Sequence, residues 1–424
     1  VTHTESDTPA AAPPGHISPQ PEAQRRILRV LFLSQILSGA GLAAGITVGG
    51  LLAEQMLGST GLAGLPSALF TAGSALAAVL VGRISQARGR RPGLAAGYLA
   101  GAVGAAGVIA ATVVDSPVLL FAALFVYGSG TATNLQARYA GADLAAPACR
   151  ARAVSSVLVA TTLGGVLGPN LAAPTGDLAT ALGIPALAGP FLLAGAAYAL
   201  AALVLALRLR PDPLLLARQL DAAQAATAPS PTTPEETGKR RPGVVLGALV
   251  MILTQLVMVA IMTMTPVHMA AHGHGTAASG LVIGIHVGAM YLPSPLTGRL
   301  VDRYGRLPVA AASGLTLLAA GILAATAPAG SVALLALALA LLGIGWNLGL
   351  VSGTAIITDS VPLATRAKTQ GLVDVSIAIA GATGGLASGL VVAATGYAFL
   401  SLTGGILALA ILPAIAATAA AKPR

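Results

Sequence analysis

Six of the chain's seven methionines and four of its six histidines fall between residues 251 and 290. They are Met251, Met258, Met262, Met264, Met269 and Met290, with His268, His272, His274 and His286. Two spacings carry chemical meaning, Met258-x-x-x-Met262 and His286-x-x-x-Met290, because in a helix each pair shares one face. Thioether and imidazole together suit copper, above all Cu(I). His268, His272 and His274 form a second group, whose imidazoles suit capture of metal ions or a response to pH.

The elements that must position these residues are membrane helices. The chain is 55% hydrophobic and 9% charged, with a mean hydropathy of +0.84. Apolar stretches long enough to span a bilayer run near 28–52, 60–82, 93–114, 117–138, 153–174 and 186–208. A second set runs near 243–267, 277–297, 308–327, 330–356, 369–394 and 398–420. The runs are continuous and not alternating, which argues against a barrel, and they are rich in Gly and Ala, which lets helices pack closely. In this twelve-span threading all 23 Lys and Arg fall on one side, which the positive-inside rule makes cytoplasmic, with both termini there. The net charge of +9 is therefore a topology signal, and no nucleic-acid partner is expected. Residues 1–24 are polar and Pro-rich and read as a disordered cytoplasmic tail, without the features of a signal peptide. A single cysteine, Cys149, excludes a disulfide framework.

The chain repeats itself. The loop after span two reads Gly82-Arg-Ile-Ser-Gln-Ala-Arg-Gly-Arg-Arg-Pro92, and the loop after span eight reads Gly298-Arg-Leu-Val-Asp-Arg-Tyr-Gly-Arg-Leu-Pro308. Each half is thus a six-span unit, 25–208 and 243–421, and residues 209–242 read as a flexible cytoplasmic linker. These loops resemble the hallmark G-x-x-x-D-R-x-G-R of the major facilitator superfamily. Gly298, Asp302, Arg303, Gly305 and Arg306 match it fully. The first copy keeps Gly82, Arg83, Gly89 and Arg90 but has Gln86 where the acid belongs, which puts the latch of that half in question. The resemblance implies an all-α membrane protein of twelve transmembrane helices, in two six-helix bundles related by a pseudo-two-fold axis. It also implies a substrate site near the midplane and gating by these loops. A narrower resemblance, carried by the two spaced pairs, is to the CcoA-like copper importers, a branch similar in turn to riboflavin transporters. It implies that Met258, Met262, His286 and Met290 line a copper path.

Threading puts Met258, Met262 and His286 at overlapping depths of about 9 to 15 Å below the outer surface, with Met290 one turn deeper. Asp374 is the best acid within a span: it either carries protons or counters a cation, or it pairs with nearby Lys368. Asn134, Trp346 and Asn347 lie on spans that line the cavity in this superfamily, although hydrogen bonding between helices explains such residues too. Gly164-x-x-x-Gly168-Pro169 partly matches a motif of drug exporters and equally suits a small-residue interface. No catalytic motif and no cofactor are indicated. The expectation is a secondary transporter that imports copper across a bacterial cytoplasmic (inner) membrane by alternating access. Its expected partners are copper or a small-molecule substrate, the lipid bilayer, and periplasmic or cytoplasmic copper carriers, and it is expected to act as a monomer. The alternatives are a carrier of riboflavin or another small molecule, which should offer aromatic faces although only 3% of the chain is aromatic, and a drug or metabolite exporter.

Overall fold

A backbone crossing lipid must satisfy its own hydrogen bonds, so continuous apolar runs fold as helices. The computed structural model describes residues 19–57, 65–227, 242–328 and 330–420, and all regular structure within them is helical. The first half comprises α1 (Pro19–Leu57), α2 (Leu65–Arg88), α3 (Arg90–Val113), α4 (Pro117–Ala142), α5 (Arg150–Asn170), the short α6 (Ala172–Ala181) and α7 (Gly189–Arg208). A connecting helix, α8 (Pro213–Thr227), leads to the second half. That half comprises α9 (Pro242–Ala271), α10 (Thr276–Tyr291), α11 (Ser294–Tyr304), α12 (Arg306–Thr326), α13 (Val332–Ser360), α14 (Arg366–Thr395), α15 (Tyr397–Ala408) and α16 (Ile411–Ala420). Ten stretches among the described residues are long and apolar enough to cross a membrane, and α1 and α5 occupy the other two places of the twelve-span plan.

Without a hydrophobic drive between helices in lipid, packing depends on close backbone approach at small residues. A Cβ on Gly39 or Gly164 would collide with the partner helix, so α1 and α5 touch backbone to backbone. That contact favours the small-residue reading of the Gly164 motif; Gly168 and Pro169 lie where side chains are not described. The halves meet the same way, α2 against α14 and α5 against α11: Gly82 sits on Ala367 and Gly371, and Gly298 on Ala151 and Ser155.

Four expectations change. Helix α1 begins at Pro19, inside the expected tail, and Gln24 donates to the Gly141 carbonyl at 2.8 Å; residues 1–18 lie outside the described residues. The linker is not flexible throughout, because α8 docks on the first half with Leu214 and Ala217 buried. Asp212 caps it, accepting from the Leu214 and Leu215 amides at 3.1 and 3.2 Å and from the Arg91 amide at 2.7 Å. The Pro- and Thr-rich average of 209–242 hid this amphipathic turn. Span eight breaks at Leu292-Pro293 into α10 and α11, and span twelve breaks into α15 and α16.

The repeated loops turn identically. Gly89 and Gly305 both have φ +97, a conformation that side chains disfavour, and each connects the end of one helix to the start of the next. Space is open around Gly305, whereas a Cβ on Gly89 would run into the Asp212 carboxylate. Gly305→Ala should therefore report backbone strain alone, on the order of 1–3 kcal/mol. Gly89→Ala should lower the thermal midpoint in detergent further than Gly305→Ala; equal midpoints would contradict the docking of α8.

Candidate functional site

Two buried opposite charges join the halves. Arg138, near the cytoplasmic end of α4, donates through Nη2 to Asp374 Oδ1 on α14 at 2.7 Å, and both side chains are excluded from solvent. Arg138 Nε donates to Thr354 Oγ1 of α13 at 3.0 Å, Nη2 also donates to the Tyr139 hydroxyl at 2.9 Å, and Nη1 donates to the Leu135 carbonyl. The Tyr139 hydroxyl donates to Asp374 Oδ1 at 3.2 Å, and its ring lies 4.1 Å from the guanidinium carbon. Asp374 Oδ2 is buried without a hydrogen-bond partner. Two expectations are corrected here. Asp374 pairs with Arg138 and not with Lys368, which is exposed. Arg138 is no loop charge either, because α4 runs on to Ala142 and carries it into the protein. The signal for Arg138 was present, a single charge beside an apolar run, but the assigned span end absorbed it.

The repeated loops tie the halves together in two chemically different ways. Asp302, at the end of α11, accepts from the amides of Ala151 and Arg152 at 3.1 Å, capping α5 of the other half with a carboxylate. Its repeat counterpart Gln86, at the end of α2, caps α14: Oε1 accepts from the Ala367 amide at 2.8 Å and the Lys368 amide at 3.3 Å. Its Nε2 donates to the Ala364 carbonyl at 2.6 Å, a bond no carboxylate can make. The latch that sequence put in question is thus occupied by a neutral amide working in both directions. Arg90 is fully buried, paired with Asp143 at 2.7 Å and bonded to Gln370 across the interface. Arg150 and Arg306 both reach Asp359, the latter at 2.5 Å. Arg83 and Arg303 are exposed, and Arg303 lies over the Tyr304 ring. These ties link the two halves at the end of the molecule that carries the repeated loops.

The Met/His pairs share one core without forming a direct helix pair. Met258 and Met290 are buried in the second half's main cluster, and Met262 packs against it half-buried. While α9 and α10 touch each other little, helix α13 packs extensively on both α9, which carries Met258 and Met262, and α10, which carries His286 and Met290. Gly343 is what admits it: a Cβ there would strike the His286 carbonyl oxygen and the Met290 amide. His286 is fully buried, with Nδ1 donating to the Leu339 carbonyl at 2.8 Å and Nε2 left without a partner. Met251 packs on Gly353.

Within this core lies an aromatic pair that composition did not reveal. Trp346 Nε1 donates to Gln255 Oε1 of α9 at 2.7 Å, and its ring meets Tyr291 of α10 edge-on, with centroids 5.6 Å apart. Asn347 is a structural tie: its amide donates to the Met290 carbonyl and Ser294 Oγ, both at 2.7 Å, and holds the break between α10 and α11. Asn134 joins a buried network in the first half, donating to Ser38 Oγ at 2.8 Å beside Gln35 and Tyr98. At the outer end of α9, His268 and His272 lie 4.4 Å apart between ring centroids. His274 does not complete the expected trio, since no three His, Cys, Asp or Glu side chains among the described residues gather closely enough to hold a metal ion.

The Major Facilitator Superfamily profile matches residues 31–293 and 248–424. The chain belongs to this superfamily: it is a multi-pass membrane protein and a secondary transporter, not an enzyme. It is 57% identical over 414 residues to the uncharacterized MFS-type transporter YdeG of Bacillus subtilis (strain 168), covering 96% of each chain. It is 32% identical over 362 residues to the riboflavin transporter RfnT of Brucella anthropi, covering 83% of this chain and 85% of that one. The human organic anion transporter MFSD10 has the same fold, with a TM-score of 0.75 at 19% identity over 92% of this chain and 99% of that one.

Breaking a buried ion pair by removing one partner costs about 3–5 kcal/mol, whereas replacing both with apolar groups is often neutral. Arg138→Met and Asp374→Leu should each lower the thermal midpoint in detergent, and the double variant should recover most of the loss. Additive losses would mean that the two charges act independently.

Proposed function

We propose that this transporter carries a planar heteroaromatic solute of the riboflavin class across a bacterial cytoplasmic membrane by alternating access. The observation that carries this reading is the Trp346–Tyr291 pair, held by the bond from Trp346 to Gln255. An aromatic edge and face with an adjacent amide is the equipment for stacking on a flat ring while bonding its polar rim. The likeness to RfnT supports the same class over most of both chains. Alternating access would use the cytoplasmic ties as the closed state, and the substrate would meet the halves at their shared midplane.

Asp374 is the proton site in this reading. Protonation neutralises it, releases Arg138, and removes the strongest tie between α4 and α14. Asp374→Asn should then lower gradient-driven uptake about tenfold or more while counterflow exchange persists, as expected for an intramembrane acid that carries coupling. Equal loss of both activities would assign Asp374 to structure alone.

The test of substrate is radiolabelled riboflavin accumulation in riboflavin-requiring bacteria that express the chain. Accumulation above vector cells is expected, with Trp346→Ala raising KM about tenfold and Trp346→Phe much less. Vector-level accumulation with the protein present in the membrane would reject the riboflavin reading, and accumulation below vector would favour an exporter.

One observation favours copper as a second reading. The bond from His286 Nδ1 to the Leu339 carbonyl fixes the tautomer and leaves Nε2 as an unpartnered buried base beside Met290, and a second-shell bond of this kind orients metal-binding imidazoles. Radioactive copper uptake in the same cells, lost in His286→Ala and Met258→Leu, would establish that reading. Uptake at vector level would remove it.

A further inference from the structure

We propose that the outer end of α9 carries a binding site for a borderline divalent transition-metal ion, formed by His268 and His272 and separate from the transported substrate. The two imidazoles are four residues apart on one face, and their ring centroids lie 4.4 Å apart. Both are held in place. His268 stacks on Tyr397 of α15 with centroids 4.4 Å apart and planes 13° apart, and the Tyr397 hydroxyl is bonded to Thr265 Oγ1 at 2.8 Å. His272 donates from Nδ1 to the His268 carbonyl at 2.7 Å, which fixes its tautomer and directs the lone pair of Nε2 outward.

The backbone fixes His272 as well. The helix ends in a Schellman motif: the His274 amide bonds to the Met269 carbonyl and the Gly273 amide to the Ala270 carbonyl, both at 3.1 Å, with Gly273 at φ +81. His272 is therefore the capping residue of an ordered helix end and not part of a loose loop. The carbonyls of that end and its partial negative charge favour a cation. With two imidazoles, and no third His, Cys, Asp or Glu gathered with them among the described residues, the ion would keep water in its other positions. Such a set follows the Irving–Williams order, with Cu²⁺ held above Ni²⁺ or Zn²⁺. The helix that backs the site, α15, packs on α9, α12 and α14, all of the second half.

The test uses the full-length chain in detergent, purified without a histidine tag, with Cu²⁺ alone as the probe. One equivalent should give an electron paramagnetic resonance spectrum with nitrogen splitting from two imidazoles. His272→Ala and His268→Ala should each weaken Cu²⁺ binding about tenfold or more, and Zn²⁺ should compete. His274→Ala and His286→Ala should leave affinity and spectrum unchanged. His272→Gln, which keeps size and polarity, controls for folding through an unaltered thermal midpoint and should lose the nitrogen signal of one ring. Wild type without nitrogen splitting, or variants of His268 and His272 that bind as wild type, would overturn the proposal. If binding instead disappears in His286→Ala, the outer site falls and the copper reading of the inner residues stands.

Discussion

Two opposite charges buried in apolar surroundings have to find each other, and here they come from different halves of the molecule. Arg138 and Asp374 are each too costly to leave alone in a membrane protein, so their pairing draws α4 and α14 together. All three guanidinium nitrogens donate: the group bonds the carboxylate, Thr354, Tyr139 and a backbone carbonyl at once. The carboxylate is not, since one of its oxygens has no partner. The joint is thus strong while both charges persist and weak once either is neutralised or diverted. A transporter needs such a joint, because its halves must separate and meet again in every cycle.

The latches around this pair show how a duplicated sequence can diverge while keeping its geometry. Positions 86 and 302 occupy the same place in the repeat, and each caps a helix of the opposite half. A carboxylate at 302 works by charge on a helix start. The carboxamide at 86 accepts from that helix start and also donates to the turn before it. The departure from the superfamily's acid is therefore a different solution to the same closure, and one whose charge does not vary with pH.

The Met/His cluster separates into parts with different chemistry once α13 is in place. Its inner members belong to one apolar core, where thioethers fill irregular space and only His286 presents an open polar atom. Its outer members sit at a capped helix end in contact with water. The aromatic pair Trp346 and Tyr291, on α13 and α10 of the second half, was invisible to composition because a low overall aromatic content says nothing about where the few rings converge.

Much of the fold was legible in the sequence. Lipid admits only backbones that satisfy themselves, so continuous apolar length and a repeated loop were enough to give an all-helical membrane fold of the major facilitator type. Local signals were legible too: His268 and His272 are adjacent because helix periodicity alone makes residues four apart neighbours. What only the tertiary structure decided was which distant groups meet. The partner of Asp374 is Arg138, on another helix of the other half and not the nearby Lys368, because burial rewards the charge that shares the same dry space. Gly343 lets α13 approach α10 closely, at the His286 carbonyl and the Met290 amide. Depth along a helix axis can be counted from sequence, but rotation about that axis and the order of neighbours depend on side chains fitting across helices.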